Sequence, residues 1–119
     1  MKPFNSEKYQ QLLNNGASKA QHDSIVPVAK LDMTDETWLI THIDPEQPDI
    51  AYGLRDKGLG YVEYSTLNLV ELRRNRQLRY IEHDEFFQGQ FPIGTYKRAA
   101  EHYMGIVTDV KHVERFQSK

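Results

Sequence analysis

Between residues 28 and 64, strand-type segments alternate with short turn signals, the pattern of a chain that folds back on itself as hairpins. Val28-Ala29-Lys30-Leu31-Asp32-Met33 runs into the polar cluster Thr34-Asp35-Glu36. Thr37-Trp38-Leu39-Ile40-Thr41-His42-Ile43 then resumes with β-branched and aromatic residues, which predicts a β-hairpin. Asp44-Pro45 through Pro48-Asp49 reads as a turn or loop, because its two prolines remove backbone donors and restrain the residues before them. Ile50-Ala51-Tyr52-Gly53-Leu54 is the next strand, Asp56-Lys57-Gly58-Leu59-Gly60 the next turn, and Tyr61-Val62-Glu63-Tyr64 the strand after it. Gly53, Gly58 and Gly60 fit no phosphate-binding pattern and are assigned to hairpin turns.

Helical signals flank this region. Asn5 or Ser6 caps a first helix with Tyr9, Leu12 and Leu13 at apolar spacing, and Gly16 is expected as its left-handed stop. Ala17 to Ser24 reads as a loop. Asn68-Leu69-Val70-Glu71 resembles a capping box and opens a helix to about Asn75, where Arg73, Arg74 and Arg76 suit the negative end of the dipole. Leu78 to Glu82 is a short strand. Thr95 is the expected cap of a final helix to about Met104, with Tyr96, Ala99, Ala100 and Tyr103 on one stripe; the tail from Gly105 fits a strand or a loose extension. The order predicts an α+β fold: a small, mostly antiparallel sheet of four to five strands with about three short helices. Residues 1–119 are expected to form one domain, with an N-terminal helix and loop over 1–24, a core over 25–90, and a C-terminal helix and tail over 91–119.

At 119 residues the chain can bury roughly 65% of its unfolded surface around one core. It has no Cys, which excludes disulfides, thiolate metal sites and a Cys nucleophile. Apolar runs are far too short to span a bilayer and the first residues carry no leader pattern, so a cytoplasmic location and no membrane association are expected. A net charge of -2 argues against coating nucleic acid by charge alone.

Catalytic patterns are sparse. The five histidines, His22, His42, His83, His102 and His112, form no metalloprotease motif, and no serine has a nucleophile-elbow context. His42 with Asp44 and Asp49 offers weak metal-ligand spacing. In Glu82-His83-Asp84-Glu85, strand alternation lets only Glu82 pair with Asp84, or His83 with Glu85. No enzyme activity, metal or cofactor is expected. Charge is unevenly spread: residues 30–63 hold eight acidic and three basic side chains, whereas Arg73, Arg74, Arg76 and Arg79 fall within seven residues. Asp32, Asp35, Glu36, Asp44, Glu46 and Asp49 lie around turns, where they can present negative charge to a basic partner. The arginines, with Tyr80 and Phe86 or Phe87 nearby, offer an alternative nucleic-acid or partner surface. Trp38 is read as core.

The series Thr37-Trp38-Leu39, Asp44-Pro45, Asp49-Ile50-Ala51-Tyr52-Gly53-Leu54 and Gly58-Leu59-Gly60-Tyr61, continued by Leu67 to Leu72 and Ile81 to Phe86, resembles a small uncharacterised domain family over about residues 25–90. The resemblance implies carriage on conjugative plasmids, integrative elements and phages, often beside anti-restriction and recombination genes, with no established enzymatic activity. His83 stands where that pattern usually has Arg, and Arg73-Arg74-Asn75-Arg76 replaces a Gly-containing turn. The expectation is an accessory protein that inhibits a host nucleic-acid-targeting defence complex, of CRISPR or restriction type, by direct protein binding. The alternative is a nucleic-acid-binding or processing accessory protein using the Arg-rich helix end.

Overall fold

The computed structural model describes residues 4–18, 21–74 and 81–117. Strands β1 (Ala29–Met33), β2 (Thr37–Ile43), β3 (Ile50–Asp56), β4 (Val62–Asn68) and β5 (Ile81–His83) form one sheet in the order β4-β3-β2-β1-β5. All neighbours are antiparallel. The helices are α1 (Ser6–Ala17), α2 (Leu69–Arg74), α3 (Ile93–Tyr103) and α4 (Val110–Val113), with 3₁₀ turns at His22–Ser24 and Glu114–Phe116. The predicted α+β architecture is the one found. Among the described residues no helix is long and apolar enough to cross a membrane.

Alternation along the strands builds two cores, one on each face of the sheet. Leu31, Trp38, Ile40, Ile43 and Ala51 meet Leu12 of α1 and Leu69 and Leu72 of α2. Leu39 and Leu54 point the other way, against Ile93, Tyr96, Ala99 and Ala100 of α3 and Val113 of α4. Each fully buried aliphatic side chain contributes about 1.5–3 kcal/mol. Trp38 is only 2% exposed, and the Arg55 guanidinium lies 5.5 Å from the centre of its ring.

The register slips within β2. Ile40 pairs with Gly53 but His42 with Tyr52, leaving Thr41 as the extra residue of a bulge. Gly53 is therefore not a turn residue: it sits inside β3, where a side chain would place its first carbon 2.1 Å from the Leu39 carbonyl oxygen. Gly58 and Gly60 do form the β3–β4 turn, with φ of 76° and 89°.

Three further expectations change. Gly16 lies within α1 rather than stopping it, because the helix crosses β2 so closely that a Cβ would stand 1.9 Å from the Ile43 carbonyl oxygen. Helix α3 starts two residues before Thr95: Ile93 is drawn into the core and its N–H donates to the Ile25 carbonyl at 2.8 Å. Thr95 is buried inside the helix. Beyond Gly105 the tail is neither strand nor loose, since Asp109 caps α4 through the His112 N–H and Val113 is fully buried.

Candidate functional site

The best-built polar region lies where β2 ends and β3 begins. Asp44 Oδ1 accepts from the Glu46 N–H at 2.9 Å, the Gln47 N–H donates to the Asp44 carbonyl at 2.9 Å, and the Ile50 N–H to the Gln47 carbonyl at 3.0 Å. Two successive turns thus fix the loop by its own hydrogen bonds. Its base is held twice more. The Leu69 N–H donates to the Asp49 carbonyl at 2.7 Å, and the Asn15 side chain of α1 donates to the Thr41 carbonyl at 2.9 Å. Pro45, Glu46, Gln47, Pro48 and Asp49 are all exposed on this anchored loop.

Beside it, on the α3 face of the sheet, four rings gather. His42 stacks on Tyr52 with centroids 4.6 Å apart, His22 stacks on Tyr64 at 4.3 Å, and the two imidazoles meet edge to face at 5.3 Å. Thr41 joins them: its hydroxyl donates to the Tyr52 carbonyl at 3.0 Å and lies 2.8 Å from His42 Nδ1 and 3.4 Å from His22 Nε2. A hydroxyl has one hydrogen, so with that hydrogen on the Tyr52 carbonyl both imidazoles must act as donors to Thr41. Burial pushes the His22 and His42 pKa values down; His22 lowers that of His42 further, and Asp44 partly opposes the change. The Tyr64 hydroxyl donates to Asp23, and burial together with that bond raises its pKa.

The six candidate carboxylates separate into two groups at opposite ends of β2, about 20 Å apart along a seven-residue strand. Asp44, Glu46 and Asp49 share the loop just described. Asp32, Asp35 and Glu36 lie at the β1–β2 turn, where Asp32 pairs with Lys30 at 3.0 Å and Glu36 pairs with Arg55. Arg73 and Arg74 are exposed at the end of α2. Arg76, Arg79 and Tyr80 lie outside the described residues.

Among the described residues the weaker ligand and stacking combinations weighed from the sequence do not assemble elsewhere either. Half-buried His83 meets Phe4 edge to face, and Glu85 is exposed. Phe87 is core, but Phe86 is 93% exposed. Among the described residues no group of three or more His, Asp or Glu side chains is placed to hold a metal ion. A cleft of about 660 Å³ runs between α1 and the Glu85–Gly89 segment, and its Lys8 ammonium donates to the Phe87 carbonyl at 3.0 Å. Sequence reading missed the grouping of His22, Tyr52 and Tyr64 with His42. Regular register continued from Ile40 and Gly53 would set His42 opposite Ala51, so its pairing with Tyr52 depends on the bulge, and nothing local brings His22 across from the segment after α1.

Residues 4–107 match a family described only as a protein of unknown function, DUF2958, and the chain belongs to that family. The match takes in α1 and α3 as well as the sheet. No curated protein and no solved structure matches the chain.

Proposed function

We propose that this protein is an accessory factor of a mobile element or phage that inhibits a host nucleic-acid-targeting defence complex, of CRISPR or restriction type, by docking its Asp44–Asp49 loop on a basic groove. The setting comes from the resemblance described above. The observation that carries the binding mode is the loop itself, which displays Glu46 and Asp49 on a backbone already fixed by internal bonds. A preordered loop loses little conformational entropy on docking, and its charge speeds encounter with a cationic surface.

The test is inhibition of restriction and CRISPR interference by the Asp44→Asn, Glu46→Gln, Asp49→Asn triple variant. The Asp44→Asn change keeps the side-chain oxygen that closes the first turn. Loss of inhibition in a folded variant, with capture of a nuclease-resistant protein complex by the native chain alone, supports the reading. Unchanged inhibition of every system the native chain blocks overturns it.

A second reading, nucleic-acid binding through the α2 end, is favoured by the exposure of Arg73 and Arg74. It requires oligonucleotide binding that falls steeply with salt and is lost on Arg73→Glu and Arg74→Glu.

A further inference from the structure

The outer edge of β4 carries an inference separate from the acidic loop. β4 closes the sheet on one side, and among the described residues no strand pairs with its outer side. Its hydrogen-bonding phase follows from the bond between the Leu69 N–H and the Asp49 carbonyl, which flanks the Ile50–Asn68 pair. In an antiparallel ladder such a flanking bond marks a pair that exchanges no bonds itself, and the two pair types alternate. Glu63, Ser65 and Leu67 therefore bond to β3, while the N–H and C=O groups of Val62, Tyr64, Thr66 and Asn68 point away from the sheet. The Asn68 carbonyl, at the cap of α2, is taken by the first turn of that helix; among the described residues the other outward backbone groups have no backbone partner outside the ladder.

Exposed edges are ordinarily protected by being short or by carrying Lys, Pro or a bulge. The opposite edge, β5, follows that rule with three residues. β4 has seven residues in unbroken register, without Pro, Lys or Arg, and its only charge is Glu63. The Lys57 ammonium lies 3.3 Å from that carboxylate.

We propose that β4 pairs antiparallel with β4 of a second copy about a two-fold axis at Ser65, joining two sheets into one of ten strands. This register sets Tyr64 opposite the partner's Thr66, where both residues exchange bonds, and Val62 opposite the partner's Asn68, whose N–H is free to donate to the Val62 carbonyl. Glu63 lies opposite the partner's Leu67, and no like charges face each other. Tyr61, 48% accessible and just before β4, falls opposite the partner's Leu69 at the start of α2 in this register. On the other face the Lys97 ammonium lies 5.7 Å from the centre of the Tyr64 ring and pairs with Glu101 at 3.1 Å, so that cation already has its anion within the same copy.

Sedimentation velocity of the full chain over a concentration series tests this, with Ser65→Lys, Ser65→Glu and Thr66→Pro as variants. The native chain is expected to sediment as a dimer. Each Ser65 variant should be monomeric, because the axis sets two like charges side by side, and an equimolar mixture of the two should recover the dimer. Thr66→Pro removes an N–H that the monomer does not use and should be monomeric with an unchanged circular dichroism spectrum. Amide exchange at Tyr64 and Thr66 should slow with concentration in the native chain only. A native chain that stays monomeric throughout, or a dimer that persists in all three folded variants, overturns the proposal. Neither result bears on the acidic loop.

Discussion

At the β1–β2 turn, Asp32 lies 3.0 Å from the Lys30 ammonium and the nearly buried Glu36 carboxylate is held by Arg55, whereas at the other end of the same strand Glu46 and Asp49 stand exposed. The two ends have the same number of candidate carboxylates but use them differently. In the first, ion pairs add to the bond from the Met33 N–H to the Glu36 carbonyl in fixing the turn beside Trp38; in the second, the loop is fixed without an ion pair and Glu46 and Asp49 are displayed. Counting acids along a sequence cannot separate these uses, because the difference depends on which cations the fold brings beside each carboxylate. Arg55 stands opposite Trp38 in register, which sets its guanidinium within reach of Glu36.

The contrast is most easily broken at the base of the displayed loop. Gly16→Ala forces α1 away from the Ile43 carbonyl, and the expected loss is about 3 kcal/mol in urea unfolding. A midpoint unchanged from the native chain would show that the helix has room there. At the opposite end, Glu36→Ala leaves the Arg55 guanidinium without its carboxylate beside Trp38, for an expected loss of about 2 kcal/mol. A double-mutant cycle with Arg55→Met should give a coupling above about 0.5 kcal/mol, and a null coupling would remove the distinction between the two ends.

Acid sensitivity should follow the ring cluster rather than the ion pairs in the range below neutrality. His22 and His42 bind protons less readily folded than unfolded, so the stability due to their neutral forms is fully present above about pH 6.5, the ordinary histidine value. It declines as pH falls from there toward their lower folded values, because the unfolded chain takes up more protons. His83 changes in the same direction. Replacing His22 and His42 by Gln should flatten this part of the stability profile, leaving the His83 slope; an unaltered slope would place the sensitivity elsewhere. The smallest effect is expected from Glu46→Gln with Asp49→Asn, within about 0.5 kcal/mol in the same unfolding assay, since both side chains are exposed.

Much of the fold was legible because local chemistry and tertiary structure agree. Pro45 and Pro48 delimit one reversal, Gly58 and Gly60 supply the positive φ of another, and Asn68 caps α2 by accepting from the Val70 and Glu71 N–H groups. What could not be read depends on contacts distant in sequence. Gly16 and Gly53 look like turn residues, yet each serves a close backbone approach set by another element. The bulge at Thr41 has no local signature, and it is the bulge that turns His42 onto the α3 face beside Tyr52. Of the candidate site, the Asp44–Asp49 loop was visible from its prolines, while the division of the six carboxylates required the strand register.

Asp56 ties a local turn to a distant part of the chain. One of its oxygens accepts the Gly58 N–H at 2.8 Å within the β3–β4 turn, and the other accepts the Ile106 N–H at 2.9 Å, fifty residues later in the chain. The first bond closes a loop of two residues and the second one of fifty, so the second carries the larger closure entropy. The turn that orients the carboxylate thus also moors the segment leading into α4, so a change at Asp56 would loosen both the hairpin and the tail.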